Sequence, residues 1–153
     1  MLDGKIEQIY HISGRLLKDC SRIADMAGGN AEYIFNQIKI DINDNHELML
    51  AHSINNKLSG FIKGRREKLP CYIADEYPNL ITSKIDWLYV DADFWRMGIG
   101  GGLLKAYADY EKDHGVDLLF LRSLPDRHVL RFYKNCGFKT IGWNYLLGRR
   151  LRR

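Results

Sequence analysis

The spacing of apolar residues along the chain switches several times between strand-like and helix-like, and glycine, proline or asparagine marks most of the switches. Residues 6–12 read as a short first strand. Over 15–27, Leu16, Leu17, Cys20, Ile23, Ala24 and Ala27 recur at helical spacing, and Gly28-Gly29 ends the run. Asn30 is placed to cap a second helix reaching residue 40, with Ala31, Ile34, Phe35 and Ile38 on one face. Residues 47–54 and 58–63 read as strands joined by a tight turn at Asn55-Asn56, and 66–80 as a proline-bearing loop. Residues 81–90 form a long strand rich in β-branched and aromatic side chains. A glycine cluster follows, then a helix to His114 closed by Gly115. The nearly continuous apolar run over 116–124 predicts a strand buried on both faces. Pro125 and Asp126 open a helix that Gly137 closes, and 138–142 and 143–147 read as final strands. The order β-α-α-β-β-β-α-β-α-β-β predicts an α/β fold, a mixed sheet with helices on both faces.

Length and composition narrow the class. The chain has 153 residues, 46% of them hydrophobic and 27% charged, which predicts one globular domain over 1–153. Three cysteines, Cys20, Cys71 and Cys136, are widely spaced with no CxxC pair, so neither a disulfide framework nor a zinc site is expected. No run approaches the roughly 20 apolar residues of a membrane span, and the opening residues lack a signal-peptide core. A cytoplasmic protein with reduced thiols and no membrane partner is the expectation.

The charge is unevenly laid out. Residues 1–50 carry eight acids and five bases, whereas from His114 onward there are two acids and nine bases. An acidic half suits a cationic ligand and a basic half an anionic one. The basic run Lys63-Gly64-Arg65-Arg66 and the tail from Gly148 to Arg153 lack RNA-stacking aromatics, and read as a solvated hairpin end and a solvated terminus rather than a nucleic-acid grip.

The most informative stretch is Trp95-Arg96-Met97-Gly98-Ile99-Gly100-Gly101-Gly102-Leu103-Leu104, between a strand and the first turn of a helix. Each glycine inside a helix costs about 1 kcal/mol relative to alanine, so three in succession need a compensation. Anion binding supplies one, because the first N–H groups of a helix are unpaired and glycine lets a phosphate approach them. A Walker A loop needs Gly-Lys-Ser/Thr, and a dinucleotide fingerprint needs glycine where Leu103 stands; both readings fall.

This loop, with the segment from Ile85 to Leu104, resembles the GNAT family of acyl-CoA-dependent N-acetyltransferases. The family's coenzyme pattern, Gln/Arg-x-x-Gly-x-Gly/Ala, is met by Gly98 and Gly100, with Trp95 in place of Gln or Arg. A second family motif, aromatic-Tyr-x-x-x-Gly-Phe, is matched by the run from Phe132 to Phe138, and Asp126 stands where the family usually has asparagine. The resemblance implies strands 81–90 and 116–124 splayed around acetyl-CoA as cosubstrate, with no metal. Backbone groups of Leu88, Tyr89 and Val90 would pair with the pantetheine. Amides of Arg96, Met97, Gly98, Ile99, Gly100 and Gly101 would hold the pyrophosphate, and Asp126 and Tyr133 would face the coenzyme.

For the chemistry, Tyr133 is the expected acid, since a phenol near pKa 10 can protonate a thiolate whose thiol sits near 8.5. A backbone N–H near Tyr89 or Val90 would polarise the carbonyl. Asp86 is the candidate base, and Asp91 and Asp93 read as turn-formers. The implied activity is direct acetyl transfer to a primary amine of a small molecule or a protein, with a homodimer as a common assembly. The alternatives are a non-catalytic acyl-CoA sensor, an RNA-binding module, or a toxin acting on aminoacyl-tRNA.

Overall fold

The structure, a computed structural model, describes residues 4–26 and 46–152. Its elements are β1 (Gly4–Gln8), α1 (Gly14–Met26), β2 (Glu47–Ile54), β3 (Lys57–Arg66), α2 (Cys71–Ala74), β4 (Thr82–Val90), a 3-10 turn (Ala92–Phe94), α3 (Ile99–Asp113), β5 (Leu118–Arg122), α4 (Arg127–Asn135), β6 (Lys139–Thr140) and β7 (Leu146–Arg150). The helix expected over 30–40 lies outside the described residues. The strands form one seven-stranded sheet in the order β1-β2-β3-β4-β5-β7-β6. β4 and β5 pair in parallel, while β1–β2, β5–β7 and β6–β7 are antiparallel, so the sheet is mixed as predicted.

Contacts divide the chain into two compact units, Met1–Lys63 with Trp87–Tyr107 and Gly64–Asp86 with Ala108–Arg153. In the first, Cys20, Ile23 and Ala24 of α1 pack with Ile12, Met49, Ala51, Leu58 and Phe61, and Trp87 and Tyr89 lie against this cluster. The β2–β3 hairpin turns through Asn55 (φ 52°) and Asn56 (φ 64°), the pair of left-handed residues a two-residue hairpin needs. In the second unit, Leu118 and Phe120 of β5 pack with Leu69, Ile73 and Leu146. Residues 118–121 of β5 are all buried, which is why that run carries no alternation.

Most expected boundaries shift by a residue or two, and three strands move further. The first strand is Gly4–Gln8 rather than 6–12, because Ser13 caps α1 through Leu16 N–H (3.1 Å) and the chain must turn before it. β3 runs on to Arg66, since β4 keeps pairing there: Glu67 N–H donates to Thr82 O (3.2 Å) and Ser83 Oγ to Arg65 O (3.3 Å). The last strand is Leu146–Arg150 rather than 143–147. Asn144 (φ 53°) and Tyr145 (φ 60°) are left-handed, and Arg122 Nη1 donates to the carbonyls of Trp143 (3.0 Å) and Asn144 (2.9 Å). The 66–80 loop also holds the short helix α2, started by Pro70, whose carbonyl accepts from Ile73 and Ala74.

Candidate active site

The loop from β4 to α3 is assembled in steps. At the end of β4, Asp91 N–H donates to Ser59 O on β3 (2.8 Å), which fixes where the strand stops. The side chain of Asp91 is fully buried and accepts from Asp93 N–H (3.0 Å), capping the 3-10 turn, and from Arg22 Nη1 of α1 (3.0 Å). Burial alone would raise this carboxyl, but the Asp93 amide and the Arg22 guanidinium hold it below the usual carboxylate range. Asp91 and Asp93 are thus turn-formers, as expected.

Beyond the turn, Trp95 Nε1 donates to Val90 O (2.8 Å) and ties the loop back to the strand. Arg96 (φ 68°) and Gly98 (φ 79°) are both left-handed, and residues 95–98 are exposed. α3 then starts at Ile99, which is buried, and its opening turn is closed by Gly102 N–H to Gly98 O (2.9 Å). Gly100, Gly101 and Gly102 therefore lie inside the helix. A Cβ added at Gly98, Gly101 or Gly102 would meet no atom within 4 Å. Close packing therefore does not account for these three glycines.

The strand edge leading into the loop is also ordered. The carbonyl of Tyr89 faces β3, 2.9 Å from where a Cβ on Gly60 would sit, and the Tyr89 ring lies 5.7 Å from that of Phe61. Backbone groups alternate between the two edges of a strand. Leu88 and Val90 therefore direct theirs to the edge away from β3, and the carbonyl of Val90 is the one Trp95 bonds. Burial pushes the phenol of Tyr89 up from its ordinary value, keeping it protonated. Gly60 also lets Ile99 and Leu103 of α3 approach β3, each 3.3 Å from that Cβ position. An isolated glycine within a strand pattern signals such an approach, and it is the sign by which Gly60 was findable in the sequence. The Arg22–Asp91 pair had no such sign, being 69 residues apart.

In the second unit, Asp126 caps α4, its Oδ1 accepting from His128 N–H (2.8 Å) and Val129 N–H (3.1 Å). The Val129 and His128 amides hold this exposed carboxyl below its ordinary range. Tyr133 is half-buried on α4, with Phe132 and Phe138 edge-on to its ring at 5.1 and 5.7 Å. Gly137 (φ 93°) ends the helix and lets Phe138 N–H reach Tyr133 O (3.0 Å), so the second motif is a helix end that fixes the ring. Asp86 belongs to a cluster of charges: Arg65 Nε at 3.8 Å and Lys84 Nζ at 4.0 Å, both of which also reach Glu67.

The described basic stretches are in part solvated, as expected, with Arg65, Arg150 and Arg152 exposed, but several of their side chains also make defined contacts. Lys63 is buried on β3, 3.8 Å from Glu47 and 5.3 Å from the Trp87 ring centroid. Arg150 belongs to β7, opposite Leu118 of β5, and lies over Tyr77. Arg66 donates to His114 O (2.6 Å) and Arg152 to Lys112 O (2.5 Å), satisfying carbonyls at the C-terminal end of α3. All three cysteines are free, and burial, with Asp19 adding to it, pushes the Cys20 thiol up to about 12. Among the described residues, no group of three or more His, Cys, Asp or Glu is placed to hold a metal, and no helix is long and apolar enough to cross a membrane.

The model of the Acetyltransferase (GNAT) family matches residues 15–138, and the chain belongs to that family. No curated protein matches the sequence. Similar solved structures include the ribosomal-protein-S18-alanine N-acetyltransferase of Escherichia coli (17% identity, TM-score 0.73, covering 99% of this chain and 96% of that one). An aminoglycoside 6'-N-acetyltransferase complexed with coenzyme A aligns at 14% identity and TM-score 0.70, over 97% and 98% of the two chains. The PaiA N-acetyltransferase of Thermoplasma acidophilum, in complex with coenzyme A, aligns at 20% identity and TM-score 0.68, over 95% and 99%. At these identities the likeness is one of fold.

Proposed function

We propose that this GNAT-family protein transfers the acetyl group of acetyl-CoA directly to a primary amine of a small molecule or a protein, within a ternary complex. The reading rests on the left-handed backbone of Arg96 and Gly98, with open space at Gly98, set ahead of a helix start whose Gly101 and Gly102 are also unpacked. The N–H groups of residues 96–101 would hold the pyrophosphate, a role favoured by the helix dipole and by the lack of packing at Gly98 and Gly101. Leu88 and Val90 offer a strand edge for the pantetheine, and the Val90 N–H is the candidate donor to the acyl carbonyl. Bound acetyl-CoA supplies the activated acyl group. Tyr133 holds the proton for the departing sulfur as the C–S bond breaks. A phenol stays protonated at neutral pH, and although a thiolate is a weaker base than a phenolate, the balance closes when the attacking amine gives up its own proton to water as the C–N bond forms and the phenol regains one. Asp86, facing two cations, is better suited to holding Arg65 and Lys84 in place than to taking a proton from the amine.

Relatives of this fold are named for a ribosomal-protein alanine and for aminoglycosides, so protein and small-molecule amines both stand as acceptors. The acidic N-terminal third favours a cationic one.

Single-turnover transfer from labelled acetyl-CoA to a panel of amines tests the reading. Tyr133→Phe should slow transfer by about 100-fold or more while leaving coenzyme affinity nearly intact. Transfer at the wild-type rate would remove the acid role. Gly100→Asp should abolish coenzyme binding by bulk and charge repulsion, and normal binding by that variant would refute the loop assignment. Tight coenzyme binding with no transfer to any amine would instead identify an acyl-CoA sensor.

A further inference from the structure

We propose that Trp95 is a positioning residue for the coenzyme loop, acting through the hydrogen bond its indole donates to Val90; this rests on the coenzyme site proposed above. The loop has a firm anchor on each side. Before it, the buried Asp91 caps the 3-10 turn and is held by Arg22; after it, the buried Ile99 opens α3. Between those anchors residues 95–98 are exposed, and two of them, Arg96 and Gly98, sit in left-handed conformations. An exposed segment with little packing is free to rearrange unless something polar fixes it.

Backbone bonds hold the two ends of the segment, Trp95 N–H to Ala92 O (3.4 Å) and Gly102 N–H to Gly98 O (2.9 Å), and the side-chain contact that adds to them is the 2.8 Å bond from Trp95 Nε1 to Val90 O. The side chain is 54% exposed, so burial of its ring is a poor account of its placement. The bond spans five residues, from the first residue of the exposed segment back to the last residue of β4. It closes the turn into a ring with Asp91 and Asp93 inside it, and so sets the direction in which the next amides point. It also occupies a strand-edge carbonyl that β3 does not reach. A loop already held in its binding conformation binds more tightly than one that must be ordered first.

Two substitutions separate the donor from the ring. Trp95→Phe keeps an aromatic ring and removes the N–H, whereas Trp95→Gln keeps an N–H donor and removes the ring. Coenzyme A binding is measured by calorimetry on the full chain, alongside kcat and KM for acetyl-CoA. The Phe variant should raise the Kd for coenzyme A about three- to tenfold, the worth of one hydrogen bond. It should raise KM with it and hold kcat at saturating acetyl-CoA. The Gln variant should recover most of the lost affinity. A Phe variant that binds like the wild type, or a Gln variant as weak as Phe, would overturn the assignment while leaving the coenzyme site standing. A fall in kcat with Kd unchanged would overturn it too. Wild-type protein that bound no coenzyme A would overturn the proposed function and this assignment together.

Discussion

Asp91 stays charged although no part of its side chain reaches solvent, and its neighbours explain why. An amide from Asp93 and a guanidinium from Arg22 replace the water it has lost, and Lys57 adds a favourable charge. Because its folded pKa lies below the unfolded value of about 3.9, the carboxylate contributes stability that is complete above that value and is lost as pH falls through the folded pKa. Asp91→Ala should cost about 1–3 kcal/mol at neutral pH, the range for stranding buried donors. Denaturant unfolding of wild type and variant, compared from pH 7 down to pH 2, should give a difference that is constant to about pH 4 and shrinks below it. A difference that grew on acidification would contradict the charged state assigned to this group. The sequence marked Asp91 as a turn residue by its place after a strand, but its depth depends on Arg22, and no local pattern links the two.

Secondary elements were legible wherever the period and the punctuation agreed. β2, flanked by an Asn-Asn turn, begins and ends where expected, and α4 lies between its capping Asp126 and the left-handed Gly137. Boundaries moved where a partner from elsewhere decided them. β3 extends because β4 continues beside it, and the 143–147 strand shifts because Arg122 holds Trp143 and Asn144 in a turn. Gly60 shows the same dependence between elements. It leaves β3 bare at the point where the backbone of β4 and two side chains of α3 converge, so one missing Cβ sets how closely α3 lies to β3. Gly60→Val should overpack this contact and lower stability by about 1–3 kcal/mol. Coenzyme affinity should fall with it, as Ile99 is pushed away and the loop start moves. Thermal unfolding and coenzyme titration of the same variant check both, and an unchanged Tm would mean that α3 adjusts freely.

At the scale of the whole molecule, the two motifs that identified the family were legible because each is local: a loop entering a helix, and a helix leaving through glycine. The Trp95 bond and the charged surroundings of Asp86 and Lys63 were not, since each needs a partner chosen by the sheet. The same interleaving bears on stability. Neither compact unit is a continuous stretch of chain, and β3, β4 and α3 each pass from one unit into the other without an intervening loop. A strand or helix that frays at the boundary loses hydrogen bonds in both units, so local opening on one side removes support from the other. Trp87 and Trp95 report on the first unit and Trp143 on the second. Fluorescence of Trp143→Phe and of the double variant Trp87→Phe/Trp95→Phe, each normalised to its own stability by circular dichroism, should give one transition at a shared midpoint. If the Trp143 signal melted well before or after the backbone signal in the same variant, the units would be unfolding separately, and continuity through β3, β4 and α3 would not be enough to couple them.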